Sequence, residues 1–153
     1  MLVALITNDH HRDELLAAIS TIPTIHAKAE WALRWIADQA RPFGERVIAF
    51  AVFEGVFFSS AFAAIFWLRS RGMMPGLCHA NELIARDEGM HTSFACLLLR
   101  HLNTPPLPTV AHAIVGEAVH LELAFFTGML THTLRPITPL TNTQTRFPND
   151  WTA

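Results

Sequence analysis

The sequence contains no tyrosine, although it has 11 phenylalanines and 4 tryptophans. These 153 residues therefore offer no phenolic side chain. Cysteine is also scarce: Cys78 and Cys96 are the two present, and they do not form a Cys-x-x-Cys pair. Two cysteines are too few for a disulfide scaffold, so we expect two reduced, buried thiols in a cytoplasmic protein.

Basic residues are few and scattered, and charged residues make up only 16% of the chain. The net charge is −2 at neutral pH, and no run of lysine and arginine occurs. This composition argues against a nucleic-acid partner, which normally leaves a basic patch. The apolar N-terminus lacks the basic region and the cleavage signature of a signal peptide.

Strand signals are almost missing, and prolines separate segments whose apolar residues recur every three or four positions. The pattern predicts an all-α protein, and helices joined by proline-marked turns suggest a bundle. We expect a helical domain over residues 1–134, with a short helix within 1–7, and an irregular tail over 135–153. The five main helices are predicted at residues 12–20, 24–39, 44–70, 75–102 and 109–132. The apolar residues that we expect the second helix to bury are Ile25, Trp31, Leu33, Trp35 and Ile36.

One 22-residue stretch, residues 47–68, is apolar enough to span a bilayer and contains a single charge. That charge, Glu54, would be costly in a membrane, and Ser59 and Ser60 lie near the middle of the stretch. A helix that is apolar on all sides also suits the centre of a soluble bundle. We therefore favour a soluble protein with no membrane partner.

Two Glu-x-x-His motifs stand on predicted helices, Glu88 with His91 and Glu117 with His120. Residues three apart share a helix face, so each pair could hold a metal ion. Two such motifs plus two single carboxylates form the dimetal site of ferritin-like bundles, and Glu54 and Glu30 could supply the carboxylates.

The surroundings of the two motifs differ. Glu88 lies beside Arg86 and Asp87 in an otherwise apolar segment, where buried ionisable groups need partners or a metal. The helix with Glu117, His120 and Glu122 is amphipathic, which favours a solvated face or a supporting role. From spacing alone, metal ligation and ordinary burial remain about equally good interpretations of Glu54, Glu88 and His91.

Three blocks over residues 44–99 occur in the order and spacing of a known family: E-G-V-F-F-S, R-S-R-G-M-M-P-G and N-E-L-I-A-R-D-E-G-M-H. On these blocks the chain resembles the small, radical-generating subunit of class I ribonucleotide reductase. The flanking segments RDELLAAISTIPTIHAKAEWALRWI and, more weakly, EAVHLELAFF extend the resemblance over residues 10–127. The resemblance implies a ferritin-like helical bundle.

The resemblance also implies roles for particular residues. Glu54, Glu88 and His91 match metal ligands of the family's di-iron centre, in which manganese is an alternative metal. Asp87 matches the aspartate of the radical-transfer path, which hydrogen-bonds a metal-ligating histidine. Phe58, Phe62 and Ile84 match the apolar pocket around the radical site. Glu117 and His120 match no ligand, so we leave them out of the metal set.

The family's remaining ligands and its radical tyrosine match nothing in this sequence, so we expect an incomplete centre. The resemblance implies a component of ribonucleoside-diphosphate reductase that acts in deoxyribonucleotide synthesis. Its implied partners are the large subunit and a second small-subunit chain, as a homodimer or a mixed pair. A non-catalytic helical remnant that associates with a full-length small subunit is the alternative. Another ferritin-like oxidase or iron-storage protein fits the three blocks less well.

Overall fold

The computed structural model describes residues 8–133, with the side chain of His11 excepted. This part of the chain is helical, and it contains no β-strand. Its seven helices are α1 Asp9–Leu16, α2 Ala18–Thr21, α3 Pro23–Ala37, α4 Phe43–Val56, α5 Ser59–Ser70, α6 Pro75–Arg100 and α7 Pro108–Thr133. The short helix within residues 1–7 and the irregular tail lie outside the described residues and stay predictions, as does the domain boundary.

Prolines set the starts of three helices: Pro23, Pro75 and Pro108 are the first residues of α3, α6 and α7. Proline is well suited to the first helical turn because its φ angle is already helical and no N–H partner is needed there. The turn before α6 uses left-handed backbone at Gly72 (φ 68°) and Met74 (φ 49°). These features explain why the predicted bounds of the second, fourth and fifth helices are close to those observed.

The prediction was wrong for the long third helix, which is interrupted at Phe57 and Phe58. The hydroxyl of Ser59 donates to the Val56 carbonyl (2.7 Å), a contact that competes with the helical hydrogen bonds. Side chains from α3 and α7 also bind backbone groups at the break. The predicted first helix is likewise divided at Ala17, into α1 and α2.

The core lies where α3, α4 and α7 meet, with α6 packed on the far side of α4 and α5 packed against α6 and α7. Its centre is aromatic: the ring centroids of Trp31 and Phe57 are 5.0 Å apart, and those of Trp31 and Trp35 are 5.8 Å apart. The buried cluster comprises Trp31, Trp35, Ile48, Ala49, Val52, Phe57, Ile114 and Ala118. Leu33 and Ile36, which we expected to be buried on α3, are more than 60% exposed.

The outer surface retains many large apolar side chains on most of the helices. Phe43 and Phe50 on α4, and Leu83, Phe94 and Leu97 on α6, are each more than 40% exposed. Cys78 is buried as expected, but Cys96 is exposed, and neither forms a disulfide within the described residues.

Candidate metal centre

Helices α4 and α6 bring Glu54, Glu88 and His91 together at one point of their interface. His91 Nδ1 lies 3.2 Å from Glu54 Oε2 and 3.0 Å from Glu88 Oε2. One ligand atom from each of the three side chains lies within 4.8 Å of the others. No other group of three or more such side chains occurs within residues 8–133. Glu88 and His91 share a face because they are three residues apart on α6, whereas Glu54 is placed by the packing of α4.

The donor set and its spacing fit a divalent metal ion. Two carboxylates and an imidazole are ligands that iron, manganese and zinc accept. Ligands about 2.1 Å from one ion, at right angles to each other, lie about 3 Å apart. The separations around His91 Nδ1 agree with that value. The carboxylates are largely buried (13% and 19% exposed), but His91 is 51% exposed.

The electrostatics of the cluster are those of two carboxyl groups that share one base. Burial, followed by the hydrogen bond with Glu88, raises the pKa of Glu54. The pKa of Glu88 is lowered, chiefly by its hydrogen bond with Glu54 and despite some burial. Hydrogen bonds with Glu88 and then Glu54 raise the pKa of His91. Protonation of His91 would therefore compensate negative charge in the cluster, as a bound metal cation would.

The other residues implied by the resemblance fall into two groups. The Phe58 and Phe62 rings lie together, with centroids 6.0 Å apart, and Phe53 packs edge-on against Phe58 at 5.4 Å. Ile84 is half exposed. Asp87 is also half exposed, and its carboxylate lies 3.5 Å from Arg86 Nη2. The roles of these residues stay predictions.

The second Glu-x-x-His motif is used differently. Glu117 accepts hydrogen bonds from Trp31 Nε1 (2.9 Å) and Arg34 Nη2 (2.8 Å) on α3. Burial would raise the pKa of Glu117, but these two bonds and the charges of Arg34 and Arg41 together outweigh it, so the pKa is lowered. Glu30 lies 3.6 Å from His26 on its own helix and does not join a ligand cluster. Glu117 and His120 together line an open groove of about 820 Å³ between α3 and α7.

One buried ion pair was not predicted from the sequence. Glu122, which we expected on a solvated or supporting face, is 6% exposed, and its Oε2 lies 2.6 Å from Lys28 Nζ. Lys28 is the only lysine in a sequence with ten arginines. The choice of lysine rather than arginine at this one position was the available signal for a special role of Lys28. Its partner Glu122 is 94 positions away, so no local sequence pattern identifies the pair.

The helical bundle and its carboxylate–histidine cluster indicate the ferritin-like class of proteins, in which carboxylates and histidines of the bundle core can hold metal ions. Comparison with known proteins then identifies the family: residues 1–143 match the model of "Ribonucleotide reductase, small chain". The chain belongs to this family, and the match extends beyond the predicted residues 10–127 at both ends. The resemblance inferred from the three sequence blocks and the ferritin-like fold are both confirmed.

Individual relatives agree with this result. The chain is 60% identical over 116 residues to ribonucleoside-diphosphate reductase small chain 1 of Saccharomyces cerevisiae. That alignment covers 76% of this chain and 29% of the relative. It is 50% identical over 125 residues to the human ribonucleoside-diphosphate reductase subunit M2, covering 82% and 32%. The solved structure of the ribonucleotide reductase Rnr4 homodimer from Saccharomyces cerevisiae matches with a TM-score of 0.68 and 40% identity, covering 74% of this chain and 36% of that one.

The chain spans about a third of the length of the curated relatives that it matches. Two of its helical stretches, Phe43–Ser70 and Pro108–Thr131, are long and apolar enough to cross a membrane by length and composition. The core helices of soluble proteins pass the same test, and the family match supports a soluble protein.

Proposed function

We propose that this chain forms one side of the dimetal centre in a ribonucleotide reductase small subunit, with Glu54, Glu88 and His91 as metal ligands. The observation that carries the proposal is the convergence of these three side chains within 4.8 Å, in a chain that belongs to the small-chain family. A four-helix dimetal site takes about six protein ligands, so the others come from a part of the assembled subunit outside these described residues.

Iron is the metal we infer, with manganese as the alternative, because oxygen and imidazole donors suit both ions. When bound, such an ion would supply one-electron redox chemistry. The chain's own residues hold and shield it: Glu54 and Glu88 provide buried negative charge, and His91 provides a neutral nitrogen once its proton is displaced. Phe58 and Phe62, about one and two turns along the chain from Glu54, form an aromatic cluster with the adjacent Phe53. This cluster would restrict the access of water.

The activity that we infer for the assembled protein is ribonucleoside-diphosphate reduction in the cytoplasm, with Asp87 on the radical-transfer path to a large subunit. This sequence supplies no tyrosine, so an oxidisable phenol would have to come from elsewhere in the assembly. One turn from each proposed ligand lies an exposed apolar side chain. This exposure supports the proposal that another small-subunit chain or segment covers the surface around the metal centre. Phe50 precedes Glu54, Ile84 precedes Glu88, and Phe94 follows His91.

Metal titration of the purified 153-residue chain tests the proposal. Co²⁺ is a useful probe because its visible absorption reports ligation directly, and Fe²⁺ under anaerobic conditions follows. We compare the wild type with Glu88→Gln/His91→Ala, which removes two of the three donors. The matched control is His79→Ala/Glu82→Gln, a second acid–imidazole pair on α6 whose groups are exposed and 4.0 Å apart.

We expect one metal ion per chain in the wild type and in the control, and loss of binding in the ligand variant. Equal binding by the ligand variant and the control would refute the proposed site. Failure of the wild type to bind either ion would favour the alternative, a non-catalytic helical partner of a complete small subunit.

A further inference from the structure

The interruption between α4 and α5 is held by side chains from two other helices. Lys28 Nζ on α3 donates to the Phe57 carbonyl at 2.5 Å. Glu122 Oε1 on α7 accepts from the Ser60 backbone N–H at 2.9 Å and lies 3.3 Å from the Ser59 hydroxyl oxygen. A helix break leaves backbone groups without their usual partners, and here the two side chains supply partners on both sides of it.

The two side chains also bind each other, since Lys28 Nζ lies 2.6 Å from Glu122 Oε2. The side chains of Lys28 and Glu122 are 14% and 8% exposed, so the pair is largely removed from water. The ammonium group additionally lies 4.1 Å from the centroid of Phe125 and 5.3 Å from that of Phe57. Buried charges persist when their hydrogen-bonding capacity is satisfied, as it is here by backbone groups and by the opposite charge.

The break lies between two parts of the candidate metal centre. Glu54 is one turn before it on α4, while Phe58 is at the break and Phe62 is one turn into α5. In one straight helix these three residues would follow the same face, so the backbone conformation at the break affects how the carboxylate is directed relative to the aromatic cluster. Contacts that fix the break therefore also fix the end of α4 that carries Glu54.

We propose that Lys28 and Glu122 are positioning residues for the metal centre, which hold the α4–α5 break and thereby direct Glu54 towards Glu88 and His91. This inference rests on the proposed function, because it requires that the three side chains bind a metal. Neither residue touches a proposed ligand. Their effect passes through the backbone at Phe57 and Ser60, as supporting contacts around metal sites commonly do.

The chain offers a matched control for this role. Arg34 and Glu117 form a second ion pair between the same two helices, α3 and α7, at 2.8 Å. That pair is about half exposed and does not contact the break. Lys28→Met and Arg34→Met thus remove one cation each from the α3–α7 interface, but only the first removes a donor to the break.

Two measurements on the full chain separate positioning from general stability. Hydrogen–deuterium exchange of the metal-free protein reports the Ser60 amide, which donates to Glu122. Co²⁺ titration, at a temperature where circular dichroism shows both variants folded, reports the metal centre. We expect Lys28→Met to speed exchange at Ser60 and to weaken Co²⁺ binding about tenfold or more, as loss of a supporting contact does. Arg34→Met should stay within about twofold of the wild type.

Glu122→Gln provides a second test if Lys28→Met does not fold. Its amide oxygen can still accept from Ser60, but the ion pair with Lys28 is lost, so faster exchange and weaker Co²⁺ binding are again expected. A folded variant of either kind that binds Co²⁺ as tightly as Arg34→Met would overturn the positioning role. A wild-type chain that does not bind Co²⁺ would instead overturn the proposed metal site, and the inference with it.

Discussion

Gly55 on α4 lies directly against Thr92 on α6. A β-carbon added at Gly55 would lie 3.1 Å from Thr92 Oγ1 and 3.2 Å from Thr92 Cγ2, closer than ordinary van der Waals contact. Gly55 follows Glu54 and Thr92 follows His91, the two residues whose side chains meet at 3.2 Å. The missing side chain at Gly55 therefore allows the helix separation that the candidate centre requires.

The first prediction concerns this contact. Gly55→Ala should push α4 and α6 apart by a few tenths of an ångström and weaken Co²⁺ binding about tenfold, because metal sites tolerate little displacement of their ligands. The helix itself should not suffer, since alanine is the better helix former by about 1 kcal/mol. Co²⁺ titration and urea unfolding of the same variant separate the two effects.

The control for this prediction is a compensating change. Thr92→Ala removes the two atoms that the new β-carbon would meet, so Gly55→Ala/Thr92→Ala should recover most of the lost Co²⁺ affinity. Thr92→Ala alone also removes a hydrogen bond from Oγ1 to the Glu88 carbonyl within α6. The Co²⁺ affinity of this single variant is therefore the baseline for the double variant. If the double variant binds no better than Gly55→Ala, crowding at Thr92 is not the cause.

The second prediction compares two core tryptophans. Trp31 Nε1 donates to Glu117, whereas Trp35 Nε1 is buried without a hydrogen-bond partner among residues 8–133. Replacement by phenylalanine removes similar apolar area at both positions, but only Trp31→Phe loses a hydrogen bond. We expect Trp31→Phe to lower the free energy of unfolding by about 1 kcal/mol more than Trp35→Phe does. Urea unfolding followed by circular dichroism provides the comparison, and a larger loss for Trp35→Phe would contradict it.

Much of the fold could be predicted because its determinants are local. Proline marks the starts of α3, α6 and α7, and the apolar period marks their interiors. The interruption of the predicted 44–70 helix could not be read in this way. Its backbone groups are bound by Lys28 and Glu122, which lie 29 and 62 positions away from their partners Phe57 and Ser60.

The candidate site likewise combines a local relationship, which could be predicted from the sequence, with a tertiary contact, which could not. Glu88 and His91 lie on one face of α6 because of their spacing, which the sequence displays directly. The approach of Glu54 depends on how α4 crosses α6, and only the resemblance to a known family indicated it in advance. Burial was harder to predict: Leu33 and Ile36 fit the helical pattern, yet they lie on an outer face of α3. A periodic pattern identifies an apolar face but not whether another element covers it.

The last prediction concerns the dependence of stability on pH. Burial alone would raise the pKa of Glu117, but hydrogen bonds from Arg34 and Trp31, together with the charges of Arg34 and Arg41, lower it from its usual 4.5. A carboxyl group whose pKa is lower in the folded state stabilises the fold above its unfolded pKa. That contribution is lost as the pH falls through the folded pKa. Arg34 keeps its charge throughout this range.

Arg34→Met should therefore destabilise the chain at pH 7, by about 0.2–1 kcal/mol because the pair is half exposed. The difference from the wild type should shrink as the pH is lowered below 4.5 and Glu117 becomes protonated. Urea unfolding of both proteins at a series of pH values measures this difference in the free energy of unfolding. Glu117→Gln, which cannot titrate, should show the same convergence with the wild type. A gap that widens towards acid pH would mean that Arg34 stabilises the fold through packing or another partner rather than through the ionised Glu117.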